Sequence, residues 1–132
     1  MQNFYLSYIT IGVTDLEALK YFYCRLFHTK PFKETDQYFF IKIGNINLAF
    51  CAWDYLQNKQ IPLAKGNGKG LLSINVWDEP SVDNMHEALK HLNATIIQAP
   101  ERLSNNCYRL YFMDIENNSW EIIYNPAFSI TE

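Results

Sequence analysis

Several absences narrow what this chain of 132 residues can be. No apolar run approaches the length that spans a membrane, and the start lacks the basic stretch followed by apolar residues that marks a signal peptide. A membrane role is therefore not expected. The cysteines, Cys24, Cys51 and Cys107, are odd in number and widely spaced, the pattern of reduced thiols in a cytoplasmic protein and not of a disulfide framework. With a net charge of −3 and no clustered Lys and Arg, the chain is a poor match for nucleic acid, which needs concentrated positive charge. It has no glycine-rich phosphate loop and no Ser-centred elbow. Its three histidines fall at His28, His86 and His91. The last two are five residues apart, off the three-or-four spacing that would put them on one helix face. Glycine is scarce as well. Of only five, three fall within residues 58–70, with Pro62 and three lysines, which reads as a flexible joint.

What the chain does have is internal repetition. Ile9-Thr10-Ile11-Gly12-Val13-Thr14-Asp15 is echoed by Leu72-Ser73-Ile74-Asn75-Val76-Trp77-Asp78, a strand running into an acidic helix start each time. Further on, the stretch from Phe40 to Phe50 is matched by class in the stretch from Phe112 to Ile122, with an Asn at the same point of each turn. The length suits one domain with a buried core. The repeat divides it into a first module over about 1–57, a linker over 58–70 and a second module over about 71–126.

Periodicity gives each module the order βαβββ. The first strand is expected over about Phe4 to Val13. A helix starting at Thr14 follows, capped by Thr14 and Glu17, with Leu16, Leu19, Phe22, Tyr23 and Leu26 at helical spacing. Lys30 to Thr35 fits a short strand, and Gln37–Ile43 with Asn45–Ala52 fits a hairpin about Gly44-Asn45. In the second module a strand over Leu71–Val76 leads to a helix with Pro80 in its first turn and Asn93 as a left-handed stop. Strands near Thr95–Gln98, Cys107–Met113 and Ser119–Tyr124 complete it.

Alternation then assigns faces. Ile9, Ile11, Val13, Leu72, Ile74 and Val76 pack toward the helices, as does Trp120. The opposite face carries Tyr8, Thr10, Leu71, Ser73, Asn75, Phe39, Ile41, Ala49, Cys51, Arg109, Tyr111, Met113, Glu121 and Ile123. With 16% aromatic residues in the chain, this mixed polar and aromatic set suits a pocket for flat ligands.

Two motifs carry a family resemblance. Tyr8-Ile9-Thr10-Ile11-Gly12-Val13-Thr14-Asp15-Leu16 with Tyr21-Phe22-Tyr23 and Leu26-Phe27 resembles the strand, helix start and "F-Y-x-x-x-L-G" ending of the vicinal oxygen chelate superfamily, also called the glyoxalase/bleomycin resistance/dioxygenase family. Here His28 replaces the usual Gly. Phe112-Met113-Asp114-Ile115-Glu116-Asn117-Asn118-Ser119-Trp120-Glu121-Ile122 resembles its "F-x-D-P-D-G-x-x-W-E-I" hairpin. The resemblance implies an α+β fold of two βαβββ modules, their curved sheets forming a cup with the helices outside.

It also implies four metal-ligand positions, which fall on Tyr8, Ala49, Leu71 and Glu121. Only Glu121 is a good ligand, so no metal and no cofactor is expected. Glu121 is then the sharpest residue, either an anion for a cationic or donor-rich ligand or a candidate acid/base. Arg109 either neutralises it or turns outward. Tyr8, Phe39, Cys51, Trp53, Arg109, Tyr111 and Glu121 are the expected ligand-binding set. Trp53 and Tyr55, between the fourth strand and the linker, are expected at a pocket mouth or packed on the surface. The favoured function is a metal-free small-molecule-binding protein, similar to bleomycin resistance proteins and homodimeric like them. The alternatives are an enzyme of the family (lactoylglutathione lyase-like, isomerase or dioxygenase) with a non-standard site, and a structural or regulatory module.

Overall fold

The computed structural model describes residues 4–63, 65 and 70–128. The chain separates between residues 66 and 67 into two compact units. Of the expected linker, residues 64 and 66–69 lie outside the described part.

The first unit runs β1 (Tyr8–Val13), α1 (Leu16–Leu26), β2 (Lys33–Glu34), β3 (Tyr38–Ile43), β4 (Ile46–Ala52) and α2 (Trp53–Asn58). The second runs β5 (Leu71–Asn75), α3 (Glu79–His91), β6 (Thr95–Arg102), β7 (Tyr108–Met113) and β8 (Ser119–Tyr124). Their sheets have matching strand orders, β1-β4-β3-β2 and β5-β8-β7-β6. In each the first strand pairs in parallel with the last, and the remaining pairs are antiparallel. The fold is thus α+β, with two βαβββ units and two open mixed sheets.

The repeat extends to the helix ends. Asp15 accepts a hydrogen bond from Ala18 N–H at 3.1 Å, and Asp78 accepts from Ser81 N–H at 2.9 Å and donation from its hydroxyl at 2.6 Å. Aspartate is therefore the cap in both units, where the sequence suggested Thr14 with Glu17. The Ser81 hydroxyl and N–H hold the Asp78 carboxyl below its ordinary pKa. At the far ends, His28 (φ 51°) and Asn93 (φ 60°) adopt left-handed backbone. There Thr29 N–H reaches the Cys24 carbonyl and Ala94 N–H the Leu89 carbonyl, the bonds of a helix-terminating motif. His28 takes the role that glycine usually fills.

β1 starts at Tyr8, four residues later than expected. Its ladder with β4 begins at the pair Tyr8–Asn47, and β4 itself begins only one residue earlier, at Ile46, so β1 has almost no partner strand left to extend along. Phe4, Tyr5 and Leu6 are consequently exposed.

In the first unit the α1 side of the sheet holds an aromatic core. The Phe50 ring stacks on Tyr23 with centroids 4.5 Å apart and on Phe39 at 4.7 Å, and all three are fully buried. Burying each such ring contributes about 1.5–3 kcal/mol. In the second unit Trp120 stacks on Phe112 at 6.2 Å in the matching layer, with Leu110 and Ile122 beside them. The expectation that Trp120 is core holds.

α2 was not expected, and it covers the opposite face of the first sheet. Leu56 is buried against Ala49 and Cys51, with Tyr38, Phe40, Trp53 and Tyr55 around them. The Trp53 indole lies so close over Gly12 that a Cβ there would come within 2.6 Å of three of its ring carbons. Gly12 is required by this close approach. Gly12→Ala should lower stability by about 1–3 kcal/mol through overpacking and red-shift the Trp53 emission. In a Trp53→Ala background the same change should be nearly neutral by thermal denaturation. An equal cost in both backgrounds would contradict the packing described.

Candidate functional site

The ladder of the second sheet sets its site. Cross-strand partners share a face, so the Tyr111–Glu121 and Arg109–Ile123 pairs of β7 and β8 and the Ser73–Glu121 pair of β5 and β8 converge on the face away from the Trp120 layer. Ser73 donates its hydroxyl proton to Glu121 Oε1 at 2.7 Å. Arg109 Nε lies 3.9 Å from Glu121 Oε2, an ion pair beyond hydrogen-bond length. Arg109 Nη1 is closer to another carboxylate, 3.1 Å from Glu101 Oε1. The guanidinium sits 4.1 Å from the centroid of the Tyr111 ring, in cation–π range. Both Arg109 and Glu121 are only 15% exposed.

Arg109 therefore neither neutralises Glu121 alone nor turns out to solvent. It is shared between Glu101 and Glu121 and supported from below by Tyr111. Two carboxylates and one guanidinium leave the face with a net negative charge.

Glu101 was missed in the sequence because β6 was expected to stop at Gln98. The strand continues to Arg102 through two irregularities, and its register slips by one residue between Ile96 and Gln98 and again between Gln98 and Glu101. β6 is an edge strand, which is where Pro100 and such bulges are tolerated. The run Gln98-Ala99-Pro100 reads as a strand end, so only the three-dimensional register reveals Glu101.

The equivalent face of the first sheet is filled differently. Tyr8, Phe40, Tyr38 and Tyr55 form a chain of ring contacts, with centroids 5.7, 4.6 and 5.3 Å apart in turn. Phe39 does not belong to it. β3 pairs Phe39 with Phe50 and Phe40 with Ala49, so Phe40 faces the expected lining and Phe39 faces α1. Ile41 is displaced likewise. Tyr8 is 46% exposed at the rim. Cys51 is buried beneath Leu56, and desolvation raises its thiol pKa. It is thus a packed thiol and a weak nucleophile. Trp53 lies across Gly12. All three cysteines are unbridged.

A metal does not fit the four positions that the resemblance implies. Ala49 and Leu71 offer only hydrocarbon and Tyr8 a phenol, which leaves Glu121 as a single carboxylate where an ion needs several donors. Among the described residues no three of His, Cys, Asp and Glu are grouped to hold an ion. None of the described helices is long and apolar enough to cross a membrane.

A depression of about 540 Å³ lies along α1 beside Tyr21, Cys24 and Pro31. Its Lys20 is held by Glu17 at 3.2 Å and Glu34 at 3.3 Å, and Arg25 stacks over Tyr21 at 4.2 Å. These contacts account for those two cations within the surface itself.

No protein-family model and no curated protein matches the chain. Solved structures do. A glyoxalase-related enzyme from Fulvimarina pelagi superposes with a TM-score of 0.87 at 26% identity, over 96% of this chain and 92% of that one. Lactoylglutathione lyase from Agrobacterium tumefaciens gives a TM-score of 0.76 at 21% identity, over 96% and 97%. The fosfomycin resistance protein FosX from Mesorhizobium loti gives 0.72 at 17%, over 96% of each. The chain has the fold of the glyoxalase/bleomycin resistance/dioxygenase proteins, consistent with the vicinal oxygen chelate superfamily.

Titration of the protein with nickel, zinc, manganese or ferrous ion should give no tight binding. A calorimetric site of one ion per chain with sub-micromolar affinity, abolished by Glu121→Gln, would contradict the misfit of the four positions.

Proposed function

We propose that this chain is a small-molecule-binding protein that works without a resident metal and takes a flat organic ligand bearing a positive charge or hydrogen-bond donors. The observation that carries this reading is the Ser73–Glu121–Arg109 arrangement over Tyr111. A shielded carboxylate strengthens electrostatic attraction relative to bulk water. One of its oxygens is fixed by a hydroxyl, and the other lies beyond hydrogen-bond distance of its cation. A ligand donor can meet that second oxygen at hydrogen-bond length, and charge assistance makes such a bond roughly twice as strong as a neutral one. Tyr111 and Ile123 add aromatic and aliphatic surface beside these polar groups, a mixture that ligand sites commonly show.

The same proposal has the chain acting as a homodimer in the cytoplasm, with Cys24, Cys51 and Cys107 reduced. A second reading is an enzyme of the family with a non-standard site, in which Glu121 transfers a proton. The Ser73 hydrogen bond favours it to the extent that it orients the carboxylate. The two readings differ in turnover: the binding protein releases its ligand unchanged.

A screen of aromatic cations against their neutral isosteres, followed by intrinsic Trp and Tyr emission, tests the proposal. Cationic members should bind, and Glu121→Gln should weaken them about tenfold, equivalent to about 1.4 kcal/mol, while neutral isosteres change little. Equal affinity of cations for the wild type and the variant would overturn the assignment.

A further inference from the structure

The double slip of β6 decides which side chain meets Arg109. Extending the Thr95–Met113 register unbroken would set Glu101 opposite Cys107. The two irregularities instead set it opposite Arg109, on the face that holds Tyr111 and Glu121. The result is an asymmetric division of one guanidinium, 3.1 Å to Glu101 and 3.9 Å to Glu121. A planar guanidinium prefers two parallel hydrogen bonds to a carboxylate. Arg109 and Glu121 are near enough to form such a pair and do not.

We infer that Glu101 is a positioning residue that sets the ligand charge preference of this face: by engaging Arg109 it keeps the guanidinium off Glu121, so that the Glu121 carboxylate stays available to an organic cation. The inference rests on the reading of Glu121 as the ligand anion and adds to it a residue that need not touch the ligand. Tyr111 contributes by fixing the height of the guanidinium, which leaves lateral movement between the two carboxylates as its main freedom. Glu101 is 41% exposed, so its side chain can be altered with little disturbance to the buried layer of Leu110, Phe112, Trp120 and Ile122.

Removing the charge at Glu101 should release Arg109 onto Glu121. The test has two arms. The first needs no ligand. A crystal structure of Glu101→Gln should show Arg109 within hydrogen-bond distance of Glu121, about 2.7–3.2 Å, and an unchanged separation overturns the inference. The second arm uses benzamidine as the cation and benzamide as its neutral isostere, with affinities measured by calorimetry for the wild type, E101Q, R109Q and E101Q/R109Q. Glu101→Gln should weaken benzamidine about tenfold and leave benzamide unchanged. In the Arg109→Gln background the same substitution should change benzamidine affinity by less than about twofold, because no guanidinium remains to move. Equal weakening in both backgrounds would mean that Glu101 acts as a distant charge, and would overturn the positioning role. Should benzamidine bind wild type and E121Q alike, the reading of Glu121 fails, and the crystallographic arm still decides whether Glu101 positions Arg109. Matching thermal midpoints for the four proteins exclude a folding defect as the cause.

Discussion

The register of the β7–β8 hairpin is the constraint on which the second unit depends. Strand side chains alternate with a period of two, so a slip of one residue would send Glu121 and Tyr111 into the core and bring Trp120 and Phe112 out. The turn prevents this. Asp114, buried at its base, accepts hydrogen bonds from Glu116 N–H at 2.8 Å, from Asn118 N–H at 2.9 Å and from the Asn118 side-chain amide at 2.8 Å. Asn117 supplies the left-handed residue at φ 68°, where the family motif has glycine. Asparagine tolerates that geometry better than most residues because its short polar side chain can bond locally. One carboxylate thus fixes a turn, the turn fixes a register, and the register brings Ser73, Arg109, Tyr111 and Glu121 to one face.

Much of this was legible in the sequence. The repeat announced two equivalent units, and helix stops were readable at His28 and Asn93. The second hairpin was legible to within a residue: strands expected near Cys107–Met113 and Ser119–Tyr124 are found at Tyr108–Met113 and Ser119–Tyr124. Other parts were not legible, for physical reasons. Tyr38-Phe39-Phe40-Ile41 is apolar at every position, so alternation carries no information there, and the assignment of Phe39 to the open face was off by one. The helical turn at Trp53–Asn58 follows its strand directly and has no side-chain cap. Its signal lies only in tertiary packing, where Leu56 meets Ala49 and Cys51. Glu101 lay beyond a Pro that reads as a strand end.

The two units have put equivalent faces to different uses. Small residues at Gly12, Ala49 and Cys51 in the first sheet make room for Trp53 and Leu56, so that α2 covers a surface which in the second unit carries ionic side chains. The same topology therefore supports an apolar packing layer in one half and a polar constellation in the other. Alanine at position 49 fits this division, since Leu56 packs against it. Of the four positions that the resemblance implies, one carries a carboxylate, and its neighbours are a hydroxyl, a guanidinium and an aromatic ring.

The central claim is that ligand recognition occurs on the open face of the second sheet, around Glu121. Amide chemical-shift mapping on the isotope-labelled full chain during a benzamidine titration tests it most directly. The account predicts saturable shifts concentrated at Ser73, Arg109, Tyr111 and Glu121. Shifts confined to the α1 surface around Lys20, Tyr21 and Arg25, or a spectrum unchanged at millimolar benzamidine, would contradict it.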